Sequence, residues 1–198
     1  MPKHRHYKIY KPFGLLSQFD SNDARQKRKK RFLTELYNFP KGTMPIGRLD
    51  EKSEGLLLMT TDGKLSYSIN TSGVEKEYYA QLDGEVSDRQ IERLTLGIEI
   101  GLDGKKYTTK PCSAKRLNST LLLSEPDTSL RLGRHRPTSW ISITLSEGKF
   151  RQVRKMTAAV GFPTLRLVRM RVGNITLAGL EPGAVLELSE DFFERYSG

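Results

Sequence analysis

Asp50 stands just ahead of a solid apolar run. It lies in PIGRLDEKSEGLLLMT, which begins at Pro45, and a few residues later the chain reads Leu56-Leu57-Leu58-Met59. A carboxylate at the mouth of a buried strand serves either turn chemistry or a reaction. Arg154 is the second position of interest. Across Phe150 to Val160, a period of 3.6 residues puts Phe150, Val153, Met156, Thr157 and Val160 on one stripe. Arg151 and Lys155 lie well away from that stripe, and Arg154 lies on its edge beside Phe150. A border arginine commonly lays its stem on apolar surface and sends its head to water. The sharper reading is a partly buried cation that needs an anion, with Asp50 as the matching carboxylate. A guanidinium within about 4–6 Å favours the ionised form of a carboxylate. Taken singly, each residue favours the ordinary reading.

The elements that must carry these residues follow from pattern. Tyr7 to Lys11 alternates as a strand, Pro12-Phe13-Gly14 is a turn, and Leu15 to Phe19 reads as the returning strand. Arg25 to Arg31 is the densest charge run, and such a run reads as a solvated, mobile loop or a phosphate holder. Phe32 to Tyr37 reads as a short helix, Leu56 to Thr60 as a strand and Lys64 to Ile69 as a helix. Lys76 to Leu82 alternates as a strand. Ser87 and Gln90 have capping-box spacing, and Ile91, Leu94 and Ile98 recur on one helical face. Asp103-Gly104 marks a tight hairpin. Pro111 to Leu117 and Ser119 to Leu123 read as strands, and Glu125 to Pro137 as a polar loop. In Trp140 to Leu145, the face with Ile141, Ile143 and Leu145 is the core face. Leu165 to Val172 and Val185 to Leu188 read as strands, and the residues around Phe192 and Phe193 as a closing helix. Many strands with a few interspersed helices give an α+β class with a mixed, mainly antiparallel sheet.

Composition narrows the partners. The chain has 198 residues, enough for one domain or two tightly joined lobes. A chain of this size buries roughly 70% of its unfolded surface and needs no staples. Its one cysteine, Cys112, rules out an intrachain disulfide, and no zinc-ligand spacing surrounds it. The basic start has no apolar core of a secretory signal, and no apolar run approaches transmembrane length. A cytoplasmic protein is expected. The net charge of +10 points to a polyanion, nucleic acid before membrane, because no long amphipathic basic helix is present.

At this point four segments, in order, carry a family resemblance. GRLDEKSEGLLLMTTDG, from Gly47 to Gly63, resembles the catalytic-aspartate motif of the pseudouridine synthases that modify ribosomal RNA. Lys11-Pro12-Phe13-Gly14 is similar to that family's opening KPxG motif, and Lys76-Glu77-Tyr78 to its K-x-Y motif. Glu147 to Met156, EGKFRQVRKM, is similar to its EGxxRQ[VI]RxM motif. The resemblance runs from about residue 7 to 190. PTSWISITLSEGKFRQVRKMTAAVGFPTLRLVR further resembles the E-type branch, which acts on the large ribosomal subunit. Many relatives carry an S4 RNA-binding domain ahead of KPxG. Only a handful of residues precede it here, so the expectation is one catalytic domain over residues 1–198, with a central cleft and no S4 domain.

The resemblance implies an isomerase that turns a uridine of 23S ribosomal RNA into pseudouridine, near the peptidyl-transferase centre. The N1–C1′ bond breaks, the uracil turns within the site, and C5 bonds to C1′. No redox change or energy input occurs, so no cofactor and no metal are implied. The family pattern assigns the essential carboxylate to Asp50, as attacker of C1′ or as base on the sugar, and pairs it with Arg154. Tyr78 falls on the active-site tyrosine; as an isolated residue it is an ordinary strand aromatic. Arg48 is expected to fill the gap left by the flipped base, against the plainer reading of a surface ion pair. The expected RNA contacts are Arg25, Lys27, Arg28, Lys29, Lys30 and Arg31, together with the loop arginines Arg131, Arg134 and Arg136. A monomer is expected. The competing readings are a small-subunit enzyme and a non-catalytic assembly factor that binds ribosomal RNA; the latter would show the same charge.

Overall fold

The structure is a computed structural model and describes residues 3–118, 123–133 and 136–189. In chain order the elements are β1 (His6–Lys11), α1 (Ala24–Lys29), a 3-10 turn (Leu33–Glu35), β2 (Met44–Ile46), β3 (Glu54–Thr60) and α2 (Gly63–Thr71). They continue with β4 (Lys76–Asp83), α3 (Asp88–Thr95), β5 (Glu99–Leu102), β6 (Lys105–Thr108), β7 (Ser113–Leu117) and β8 (Thr138–Leu145). The last are α4 (Gln152–Ala159), β9 (Thr164–Val172), β10 (Ile175–Thr176) and β11 (Val185–Leu188). The class is α+β with antiparallel strand pairing, as the sequence predicts. The chain forms two units, Met1–Val74 with Thr176–Gly198, and Glu75–Ile175.

In the first unit, β1 lies antiparallel to β3 (His6 opposite Thr60) and to β11 (His6 opposite Leu188). All seven residues of β3 are buried, which is why its sequence is a continuous apolar run instead of an alternation. α2 opens on Asp62, whose carboxylate accepts the N–H groups of Lys64 at 2.8 Å and Leu65 at 3.2 Å. Two expectations fail here. Leu15 to Phe19 makes a single bridge, Leu15 to Arg31, and no strand. The buried Lys11 ammonium donates to the Leu15 carbonyl at 2.6 Å, and the Ser17 hydroxyl is engaged by Leu49, so side chains hold the segment together with backbone bonds from Leu16 to Arg31 and from Leu33 to Gln18. The basic run, expected as a loop, is largely α1. Asp23 caps it by accepting from Arg25 N at 2.7 Å and Gln26 N at 3.3 Å, and three cations in its last turn complement the helix dipole. None of its residues is buried, so no apolar periodicity could announce it.

In the second unit, β4 lies between β8 and β9, and β7 adds to the outer side of β8. The predicted face of β8, Ile141, Ile143 and Leu145, joins Ala80, Leu82, Leu94, Val153 and Met156 in the core. β5 and β6 form the hairpin expected at Asp103-Gly104. α3 ends at Thr95, so Ile98 lies beyond it, although its side chain still packs on the core. Gly97 stops the helix: its φ is +91°, and a Cβ there would come within 2.4 Å of the Thr109 carbonyl oxygen. Phe150 also departs from expectation. α4 begins at Gln152, after Arg151 in the left-handed region (φ +52°), so Phe150 is outside the helix and exposed, with Lys155 Nζ 5.2 Å from its ring centroid. Val153, Met156, Thr157 and Val160 are buried as predicted. The strand expected from Ser119 falls mainly, and the helix expected around Phe192 and Phe193 entirely, outside the described residues.

Candidate active site

In the first unit, the loop bearing Asp50 is braced from several sides. Gly47 has φ +71°, and a Cβ there would stand 3.2 Å from Asn70 Oδ1, so the GRLD stretch needs its glycine. Leu49 is buried, and Ser17 serves both of its backbone groups. Ser17 Oγ donates to the Leu49 carbonyl at 2.7 Å and accepts the Leu49 N–H at 3.0 Å. The Asp50 carbonyl accepts the Ser53 N–H at 3.0 Å, and the Glu51 carbonyl accepts the Gly14 N–H at 2.9 Å. Lys11 is fully buried and donates to the carbonyls of Pro12 at 2.9 Å and Leu15 at 2.6 Å. The KPFG stretch thus shapes the turn that supports the aspartate loop. Asp50 is itself half-buried, and it is both a turn residue and a carboxylate held in a fixed loop. Arg48 is exposed, and no carboxylate among the described residues pairs with it, so the surface ion pair of the plainer reading is not formed.

In the second unit, Tyr78 sits on β4 opposite Ile143 of β8 and Arg169 of β9. Its ring is half-buried against the core. The β4–β9 register shifts between Glu77 and Tyr78, a bulge of the kind that re-aims a side chain within a ladder. On the same strand, burial first, and the nearby Arg169 charge second, push the Lys76 ammonium below its ordinary range. Glu77 accepts from Ser142 Oγ at 2.7 Å and Arg171 Nε at 3.2 Å.

Arg154 is half-buried on α4, with its Nη1 donating to the Thr164 carbonyl at 3.1 Å. The start of α4 is locked by other residues of its motif. Gln152, buried, accepts the Lys149 N–H at 2.9 Å and donates to Glu147 Oε1 at 2.6 Å. Glu147 also accepts from the Tyr107 hydroxyl at 2.6 Å and the Lys110 N–H at 2.9 Å. Burial opposes its ionisation, but the hydrogen bonds from Tyr107, Lys110 and Gln152 outweigh it and hold its carboxyl below the usual range.

The basic residues fall into two groups. Lys27 pairs with Asp20 at 2.8 Å, Lys30 with Glu51 at 2.8 Å, Arg31 with Glu35 at 2.9 Å and Arg136 with Asp83 at 3.0 Å. Arg25, Arg28, Lys29 and Arg131 are exposed, and no carboxylate among the described residues pairs with them. Arg134 lies outside the described residues. Burial pushes the Cys112 thiol up to about 11, which leaves it inert near neutral pH. Among the described residues no three metal-ligating side chains converge, and no helix is long and apolar enough to cross a membrane. The pattern of the sequence does not show Ser17 or the Lys30–Glu51 pair, because Ser17 and Lys30 stand outside the four motifs and Glu51 is only a neighbour of Asp50 within one. Glu147 and Gln152 stood in one and could have been read as its structural members.

Comparison with known proteins places these observations. A family profile described as "RNA pseudouridylate synthase" matches residues 5–159. The chain is 39% identical over 177 residues to "Ribosomal large subunit pseudouridine synthase E" of Xanthomonas campestris pv. campestris, covering 88% of this chain and 90% of the relative. It is 38% identical over 180 residues to the protein of the same name from Vibrio parahaemolyticus serotype O3:K6, covering 90% of this chain and 71% of the relative. A solved structure described as "Crystal structure of pseudouridylate synthase" is similar with a TM-score of 0.75 and 26% identity, over 98% of this chain and 74% of that one.

Proposed function

The chain belongs to the RNA pseudouridylate synthase family and is an isomerase, and from that premise we propose that it converts a uridine of large-subunit ribosomal RNA to pseudouridine, with Asp50 as the indispensable carboxylate. The observation that carries the catalytic assignment is the bracing of Asp50, whose neighbours Leu49 and Glu51 are each tied by their backbone. The choice of the large subunit is supported by the names of the two relatives.

The reaction balances without any co-reactant. If Asp50 attacks C1′, the N1–C1′ bond breaks and its electrons pass to the uracil. The uracil turns, C5 attacks C1′, the carboxylate is released, and the proton lost from C5 is balanced by one taken up at N1. If Asp50 instead removes a sugar proton, elimination frees the uracil, the proton returns to the same sugar carbon after C5 has bonded, and C5 loses a proton as N1 gains one. Both routes need Asp50 ionised, and Arg154 is the cation that the family pattern sets against it. Tyr78 stacks its ring on the uracil and assists loss of the C5 proton through its hydroxyl. Arg48, exposed and without a carboxylate partner among the described residues, occupies the gap left by the flipped base. The enzyme acts in the cytoplasm as a monomer, so a sedimentation mass near 22.5 kDa is expected.

The test is to map pseudouridine in ribosomal RNA of both subunits with and without the protein. Gain at a large-subunit uridine alone is the expected result. Gain only in the small subunit overturns the choice of target, and no gain anywhere overturns the catalytic reading in favour of an assembly factor.

A further inference from the structure

Six of the seven residues from Arg25 to Arg31 are basic, and α1 sorts them by direction. Arg25, Arg28 and Lys29 are spaced i, i+3 and i+4, so they share one side of the helix. All three are exposed, and no carboxylate among the described residues pairs with them. Lys27 turns to Asp20 Oδ2 at 2.8 Å. Lys30, the C-cap, turns inward, with Nζ 2.9 and 2.8 Å from the two carboxylate oxygens of Glu51. Glu51 directly follows Asp50, and its carbonyl accepts the Gly14 N–H at 2.9 Å.

A six-residue helix with no buried side chain has little stability of its own. Its caps and its ends hold it. After the helix, the Arg31 carbonyl accepts the Leu16 N–H at 2.9 Å, and Lys30 grips Glu51. Apart from Ala24, α1 is polar throughout, ARQKRK, so it lacks the apolar face that a membrane-surface helix requires. A one-sided cluster of free cations suits a phosphate backbone.

We propose that α1 is an RNA-docking helix: Arg25, Arg28 and Lys29 take the phosphates, while Lys30 ties the helix to Glu51, so that docking the RNA also positions the Asp50 loop. This rests on the reading of the substrate as RNA. Lys30 and Glu51 are positioning residues and touch no substrate. The phosphate contacts orient the RNA without reading its sequence. Tension or order gained at α1 passes through one ion pair to the residue beside the reacting carboxylate.

Two sets of variants, assayed on a transcript of large-subunit ribosomal RNA, test the two halves. Arg25→Gln/Arg28→Gln/Lys29→Gln should weaken binding to unrelated RNAs alike and flatten the slope of log affinity against log salt by about 2. Lys30→Met should keep the wild-type salt slope. It should lose the RNA-induced slowing of amide exchange at Gly14 and Ser53, whose N–H groups bond the carbonyls of Glu51 and Asp50. Its single-turnover rate at saturating RNA should fall by about tenfold or more, the scale of a misplaced reacting group. Lys30→Arg should behave as wild type, and the exchanged pair Lys30→Glu/Glu51→Lys should recover the protection that either single change loses. An unchanged salt slope in the triple variant, or wild-type exchange protection in Lys30→Met, overturns the proposal. A wild-type protein that forms no pseudouridine would instead overturn the reading of function, and the slope and exchange measurements would still decide this one.

Discussion

Ser17 and Leu49 form a closed pair: one hydroxyl accepts the Leu49 N–H at 3.0 Å and donates to the Leu49 carbonyl at 2.7 Å. Both residues are buried, so neither backbone group has water as a substitute. Ser17→Ala strands a buried donor and a buried acceptor, at a cost of about 1–3 kcal/mol for such a group. Because Asp50 follows Leu49 directly, turnover should fall by more than the loss of RNA affinity. Ser17→Thr keeps the hydroxyl and should recover most of both. Denaturant unfolding together with single-turnover rates checks this; a fully active, fully stable alanine variant would contradict it.

Arg154→Lys tests the geometry of the cation apart from its charge. The guanidinium fork reaches the Thr164 carbonyl through Nη1 at 3.1 Å, which fixes its plane on α4. Lysine keeps the charge and loses the fork. The variant should fold, bind RNA and turn over at least about tenfold more slowly, as expected when a positioned group shifts. Rates at saturating RNA decide it, and wild-type turnover would show that charge alone suffices.

Glu147 gives a pH signature. Its folded-state pKa is held below the usual carboxylate range by Tyr107, Lys110 and Gln152, which outweigh its burial. A depressed carboxylate stabilises the fold above its unfolded pKa, about 4.3, and loses that contribution as pH falls through the folded value. Wild type should therefore exceed Glu147→Gln in stability near neutral pH, with the gap closing below about pH 4. Unfolding midpoints from pH 7 to pH 3 check it, and a gap independent of pH would refute the ionised acceptor.

Arg48→Ala should slow turnover on folded RNA more than on an unstructured oligonucleotide that holds the same uridine. Extracting a stacked base costs a few kcal/mol, and a base already free needs no substitute in the stack. Equal slowing on both substrates would assign Arg48 to another task.

Legibility in the sequence followed burial. β3 and the core face of β8 could be read because each buries a continuous or alternating set of side chains. The Ser87–Gln90 capping box and the Asp103-Gly104 hairpin could be read because their backbone chemistry is local. α1 could not, because it buries nothing and rests on its cap and ends. Leu15 to Phe19 looks like a strand in the sequence because its carbonyl and hydroxyl partners, Lys11 and Leu49, stand 4 and 32 residues away from Leu15 and Ser17. Phe150 fits the helical stripe by spacing alone because a left-handed Arg151 is invisible to periodicity. The motif positions named Asp50, Tyr78 and Arg154, while the residues that brace them lie partly outside any motif.

Asp50→Asn is the most direct test of the account. The amide is nearly isosteric, and the loop around it is held by Ser17, Gly14 and Ser53, none of which the change removes. Pseudouridine formed in large-subunit ribosomal RNA should be measured for the variant and for wild type under single-turnover conditions at saturating RNA. The account predicts a folded protein that binds the RNA with wild-type affinity and forms no pseudouridine. Product formed at anything near the wild-type rate would contradict the assignment of Asp50 as the reacting carboxylate.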